Sequence, residues 1–145
     1  MLPNAPTIRV LPVQGPIRLS GDAVRLEQVF VNLLSNAVEH APTSPTIEVT
    51  VSKSGSTAVV EVRDHGPGIP AQVLPLLFLP YARLGHKPSS GLGLGLYLAR
   101  EIVTAHGGTI EAESTVGQGT AICVRLPLGR SKARAVARPK PKAGT

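Results

Sequence analysis

At 145 residues the chain has room for one hydrophobic core, and an aromatic content of 3% with no Trp excludes a surface built for stacking nucleic-acid bases. A single cysteine, Cys123, excludes an internal disulfide, and no apolar run approaches the roughly 20 residues needed to span a bilayer. The formal charge of +6 is not a nucleic-acid signature, because six of the fifteen basic residues follow Pro127 and leave nine against nine acidic residues in the body.

In chain order, 7–11 and 16–19 read as short strands separated by a Pro/Gly turn. A helix is predicted from Asp22, its N-cap, to about His40, because Leu26, Phe30, Leu33 and Ala37 recur at helical spacing before Pro42. Apolar and polar residues alternate over 46–53 and again over 57–64, a hairpin turning at Ser54–Ser56. From His65 to Gly91 the pattern gives way to Gly, Pro and short apolar pieces, with one helical turn near 71–78 and a mobile loop between Pro80 and Ser90. A second helix is predicted from about Gly93 to His106, stopped by Gly107 and Gly108, followed by strands near 109–114 and 119–126. Helix, hairpin, helix, hairpin in this order predicts an α/β two-layer sandwich, a mixed, mainly antiparallel sheet with helices on one face. Residues 1–128 form one expected domain, and the Arg/Lys/Pro/Ala composition of 129–145 predicts a disordered basic tail.

Three features carry chemistry. Asn32 and Asn36 are four residues apart, so they share a helix face, with Glu39 and His40 a turn further on. Asn is a poor residue for a helix interior, yet its neutral amide oxygen can ligate Mg²⁺ alongside waters and phosphate oxygens. In the strand 57–64 the period of two puts Asp64 on the apolar side with Ala58, Val60 and Val62. A carboxylate there needs donors, and an adenine amino group, helped by ordered water, is a natural one; the alternative is that Asp64 only starts the turn through Gly66 and Gly68. Finally, Gly91, Gly93 and Gly95 alternate where the second helix begins, so backbone amides there can face phosphate, and Arg83, His86 and Lys87 precede them in the loop. No Gly-Lys-Ser/Thr follows the glycines and no strand feeds directly into them, which excludes a P-loop or a dinucleotide fold.

In this order and at these separations the pieces resemble the ATP-binding catalytic domain of sensor histidine kinases, within the superfamily that holds gyrase, the ninety-kilodalton heat-shock chaperones and the mismatch-repair ATPases. The likeness runs from about Ile17 to Leu128. Asn32-Leu-Leu-Ser-Asn36-Ala is similar to the asparagine box, Asp64-His-Gly66-Pro-Gly68-Ile69 to the first glycine box, and Phe78-Leu-Pro80-Tyr81 to the phenylalanine box. Gly91-Leu92-Gly93-Leu94-Gly95 is similar to the second glycine box and Gly117-Gln-Gly119-Thr120 to the last. The resemblance implies a Bergerat-type ATP-binding fold with ATP and Mg²⁺ as ligands. Asn36 would ligate the metal, Asp64 would receive the adenine amino group, and the amides near Gly93 and Gly95 would hold phosphates. Arg83 matches a residue that reaches the phosphates in relatives, and His40, Gly66, Gly68, Ile69, Tyr81, Lys87, Gly91, Leu92, Leu94 and Thr120 complete the implied nucleotide site. Hydrolytic branches of the superfamily carry a catalytic Glu where this chain has Asn32, and an amide cannot take a proton from water. Phosphoryl transfer is therefore expected over hydrolysis, with Asn32, Asn36 and Arg83 as the catalytic set.

Glu39 stands where relatives commonly carry Lys or Arg, and Leu79 replaces an acidic residue frequent in the phenylalanine box. Histidine kinases phosphorylate a His on a separate dimerisation domain, typically followed by Glu or Asp; His40, His65, His86 and His106 are followed by Ala, Gly, Lys and Gly. The expected partners are such a domain, in cis or trans, and a response regulator downstream, with no specific nucleic acid. The fragment is expected to be a cytoplasmic monomer, tied to a membrane only through a segment of a longer parent. A serine kinase of the anti-sigma-factor type and a nucleotide-binding module without transfer are the alternatives.

Overall fold

The fold comes from a computed structural model that describes residues 6–11, 15–80 and 94–128. Tyr81, Arg83, His86, Lys87, Gly91, Leu92, Gly93, the loop expected to be mobile and the tail 129–145 lie outside the described residues.

Helix α1 covers Ala23–His40. It starts where expected, because the Asp22 carboxylate accepts from the Arg25 amide at 3.1 Å, a cap contributing about 1 kcal/mol. Val29, Leu33 and Ala37, at i, i+4 and i+8, are its buried line. Helix α2, Gly95–Ala105, buries Leu96, Ala99, Ile102 and Val103 in the same way. The sheet comprises β1 (Thr7–Val10), β2 (Thr46–Ser54), β3 (Thr57–Asp64), β4 (Thr109–Thr115) and β5 (Gly119–Pro127), in the order β1-β2-β3-β5-β4. β1 runs parallel to β2 and every other pairing is antiparallel, the mixed sheet that the element order predicts. Val60 and Val62 on β3 face Val124 and Ile122 on β5, and this inner face packs on the buried lines of α1 and α2. Between Pro70 and Pro80 the only regular element is a 3₁₀ turn at Leu74–Leu76, and it seats Leu77 and part of Phe78 on the core. Among the described residues no helix is long and apolar enough to cross a membrane.

One expected element is absent: 16–19 forms no strand. Pro16 offers no N–H to a ladder, and a run of this length could make only a few bonds. The segment instead packs Leu19 against the core and delivers the chain to the α1 cap, where the Asp22 amide donates to His106 Nε2 at 3.1 Å.

The sheet's outer face is charged. Arg63 pairs with Glu61 at 3.4 Å and Arg125 with Glu111 at 3.5 Å, exposed contacts that add little stability. Cys123 stands on this face, opposite Glu61 on β3 and Glu111 on β4. Burial pushes its thiol pKa up, the nearby glutamates add to the rise, and Arg125 opposes it. The thiolate is thus disfavoured in the fold, so stability is complete below the unfolded thiol's value of about 8.5 and declines as the pH rises past it. Alkylation of native Cys123 at pH 8 should run several-fold slower than in the urea-unfolded chain; equal rates would contradict this placement.

Candidate functional site

The alternation of β3 persists to its last residue. Ala58, Val60 and Val62 are buried on the core side, and Asp64 follows them at 6% exposure. Its Oδ1 accepts from the Gly66 amide at 2.9 Å and the Thr120 amide at 3.2 Å, so the turn after β3 and the start of β5 share one carboxylate oxygen. Both bonds end on Oδ1, which leaves the acceptor capacity of Oδ2 uncommitted to any described residue.

Two serines fix this corner. The Ser114 hydroxyl donates to Gly119 O at 2.8 Å and accepts from the Ile69 amide at 2.7 Å. Its proton is then spent, so the 2.8 Å contact with Thr120 has the Thr120 hydroxyl as donor. Ser44, 1% exposed, donates to Thr46 O at 2.7 Å and accepts from the His65 amide at 3.1 Å, tying the start of β2 to the end of β3. Gly117 N donates to Pro67 O at 2.8 Å, and Gly68 backs onto the Thr115 backbone. The 64–69 turn is thus held to the β4–β5 hairpin at several points.

The other wall is α1. The Asn32 Nδ2 donates to Gly95 O at 2.9 Å, and its Oδ1 accepts from Gln28 Nε2 at 2.7 Å. At the far end, a Cβ on Gly66 would come within 3.0 Å of Ala41 Cα, a close approach that only glycine allows. α1 therefore touches the start of α2 at Asn32 and the first glycine turn at Ala41, about 13 Å apart at helical rise. Half-buried Asn36 lies between these contacts, with half-buried His40 one turn on, and neither side chain has a hydrogen bond to a described residue. α2 begins at Gly95 with no side-chain cap at Leu94, so its first amides are available to an anion.

Asp64, Gly66, Ile69 and Thr120 thus meet through hydrogen bonds, Asn32 joins Gly95, and Asn36 and His40 occupy the helix between the two groups. Sequence reasoning missed Gln28, Ser44 and Ser114. For Ser114 a signal existed, since it is the polar member of the inward alternation Ile110, Ala112, Ser114, the argument that singled out Asp64. The chemistry offered is an acceptor at one end, an amide oxygen in the middle and unpaired helix amides at the other. No cluster of three His, Cys, Asp or Glu among the described residues could hold a metal, so an ion bound at Asn36 would take most of its ligands from water and substrate oxygens. ATP with Mg²⁺ fits that donor set.

The family described as histidine kinase-, DNA gyrase B- and HSP90-like ATPase matches residues 21–130. The circadian input-output histidine kinase CikA of Synechococcus elongatus is 40% identical over 109 residues, covering 73% of this chain and 14% of the relative. The sensor histidine kinase RcsC of Escherichia coli is 38% identical over 116 residues, covering 78% and 12%. The chain therefore spans well under a fifth of the length of these relatives. Among solved structures, the mycobacterial sensor histidine kinase MprB superposes with a TM-score of 0.75 at 29% identity, covering 86% of this chain and 85% of that one. Full-length ShkA in complex with AMPPNP gives a TM-score of 0.75 at 25% identity, covering 90% and 28%.

Proposed function

Because the chain belongs to the histidine kinase-, DNA gyrase B- and HSP90-like ATPase family and is its histidine kinase-type catalytic domain, we propose that it donates the γ-phosphoryl group of ATP to a histidine on a separate dimerisation domain. The observation that carries the reading is Asp64: a carboxylate on the apolar face of β3, anchored through Oδ1 and uncommitted at Oδ2. Oδ2 accepts the adenine amino group, and Ile69 and the 64–68 turn exclude water from that end. Asn36 presents its amide oxygen to Mg²⁺, which when bound neutralises charge on the phosphate oxygens. The α2 amides after Leu94 hold the phosphate end, as the sequence also assigns to Gly91, Leu92, Gly93, Arg83 and Lys87. Catalysis in this scheme is positioning and charge neutralisation, with the nucleophile supplied by the acceptor histidine and its phosphate passed to a response regulator.

Asn32 supports transfer over hydrolysis. No carboxylate stands at its position, and both ends of its amide are bonded to the protein. The serine-kinase alternative is disfavoured on the same ground.

The test is calorimetric titration with ATP, with and without Mg²⁺, followed by transfer to a helical hairpin bearing a His-Glu acceptor. The phosphorylated product should be acid-labile, and an acid-stable one would select the serine-kinase reading. Asn36→Ala should weaken ATP binding about tenfold in Mg²⁺, the equivalent of about 1.4 kcal/mol, and change it little in chelator. An unaltered Mg²⁺ dependence would remove Asn36 from the metal site.

A further inference from the structure

We propose that Gln28 is a positioning residue for the phosphate end of the site, acting through Asn32 on the first turn of α2; the proposal rests on the nucleotide-site reading above. The observation is a three-residue relay. Gln28 Nε2 donates to Asn32 Oδ1 at 2.7 Å, and Asn32 Nδ2 donates to Gly95 O at 2.9 Å. Gln28 and Asn32 are four residues apart on α1, whereas Gly95 opens a different helix, so a local helix pair is coupled to a contact 63 residues away.

The chemistry of the amide explains why Gln28 matters. A primary amide has one accepting end and one donating end, and only one orientation suits Gly95 O, which requires a donor. The opposite orientation sets Oδ1 against a carbonyl oxygen. A donor at position 28 bonds Oδ1 and holds the amide in the productive orientation. Asn32 is then a strut across the α1–α2 contact, where a Cβ on Gly95 would lie only 3.9 Å from Asn32 Cβ and Cγ. The strut fixes the direction of the amides that follow Leu94, none of which has a side-chain cap to fix it instead. Asp64 and Thr120 at the other end share no hydrogen bond with this relay.

Three substitutions separate this role from general packing. Gln28→Leu removes the donor; Gln28→Glu keeps the shape but offers only acceptors, which attract Asn32 Nδ2 away from Gly95 O; Gln28→Lys retains a donor. In the nucleotide-free protein, amide hydrogen exchange at Leu98 and Ala99 should quicken about fivefold in the Leu and Glu variants relative to Val103, the scale of one net hydrogen bond. In parallel, ATP should bind about fivefold more weakly to those two variants while adenosine binding moves less than about twofold, and Gln28→Lys should stay near wild type on both measures. Unchanged exchange and unchanged ATP affinity in the Leu and Glu variants would overturn the strut. Equal weakening of ATP and adenosine would also overturn it, as a general loss of structure. A wild-type chain that binds neither ligand would instead overturn the nucleotide-site reading, and the exchange measurement would still decide whether Gln28 orders α2.

Discussion

Asp64→Asn is expected to abolish measurable binding of adenosine, ADP and ATP alike while leaving the fold nearly intact. The asparagine oxygen can accept from Gly66 and Thr120 as Oδ1 does now, so the corner between β3 and β5 keeps its two bonds. What changes is the other end. Where Oδ2 offers an acceptor, the variant carries an NH₂, and the adenine amino group meets a donor. The loss combines a charge-assisted hydrogen bond, about 1.5–3 kcal/mol, with a donor left unsatisfied, so affinity should fall by at least two orders of magnitude. Calorimetry with the three ligands checks the result, and thermal denaturation within a few degrees of wild type shows that the fold persists. Retained adenosine affinity would remove Asp64 from the adenine site. The pattern differs from that expected of the Gln28 variants, which spare adenosine.

Gly119→Ala should act on the fold itself. Gly119 has φ of +116°, where a side chain is strained, and a Cβ there would collide with the Asp64 carbonyl oxygen and crowd His65 Cα. Backbone strain costs about 1–3 kcal/mol, and the collision has only backbone to push against, so a loss of about 3 kcal/mol or more is expected. For a domain of this size that is a fall in Tm of roughly 10 °C, readable by calorimetry or urea titration. The damage is not confined to the turn. Gly119 O accepts from Ser114 and the next amide, Thr120 N, holds Asp64, so the variant should lose nucleotide at temperatures where it remains folded. A Tm within about 2 °C of wild type would show that the β4–β5 turn can relax freely.

Sequence reading reached the main elements because each has a local signal. α1 has a cap and a 3.6-residue rhythm, and β3 and β4 alternate in burial along their length. Asp64 was legible because the alternation that buries Val60 and Val62 does not stop before it. The strand expected at 16–19 failed for a non-local reason besides Pro16 and its short length: Ile17 and Leu19 alternate like a strand, but β1 takes its ladder from β2, far along the chain, and not from its neighbour. Gln28 and Ser44 escaped because a lone polar side chain reads as solvated until its partner is known, and Ser114 carried the signal of its alternation but not the identity of its partners. Ser44 bonds a residue 21 positions away, Ser114 one 45 positions away, and Gln28 matters only through Asn32 and Gly95.

The parallel pairing of β1 also bears on the order in which the chain assembles. The two hairpins close over short turns, Ser54 facing Thr57 and Thr115 facing Gly119, at little entropic cost. β1 finds its register only when Thr7 reaches Thr46, with the whole of α1 in between, and all four of its residues remain exposed. That contact has the longer loop to close and the least burial to reward it, so β1 is expected among the late steps of folding and the early steps of unraveling. The corner around Asp64 is built from the opposite kind of contact, since Asp64 and Thr120 join strands already in register from Thr57 to Arg63. Assembly from the hairpins outward would therefore complete the Asp64 corner before the amino-terminal edge of the sheet is in place.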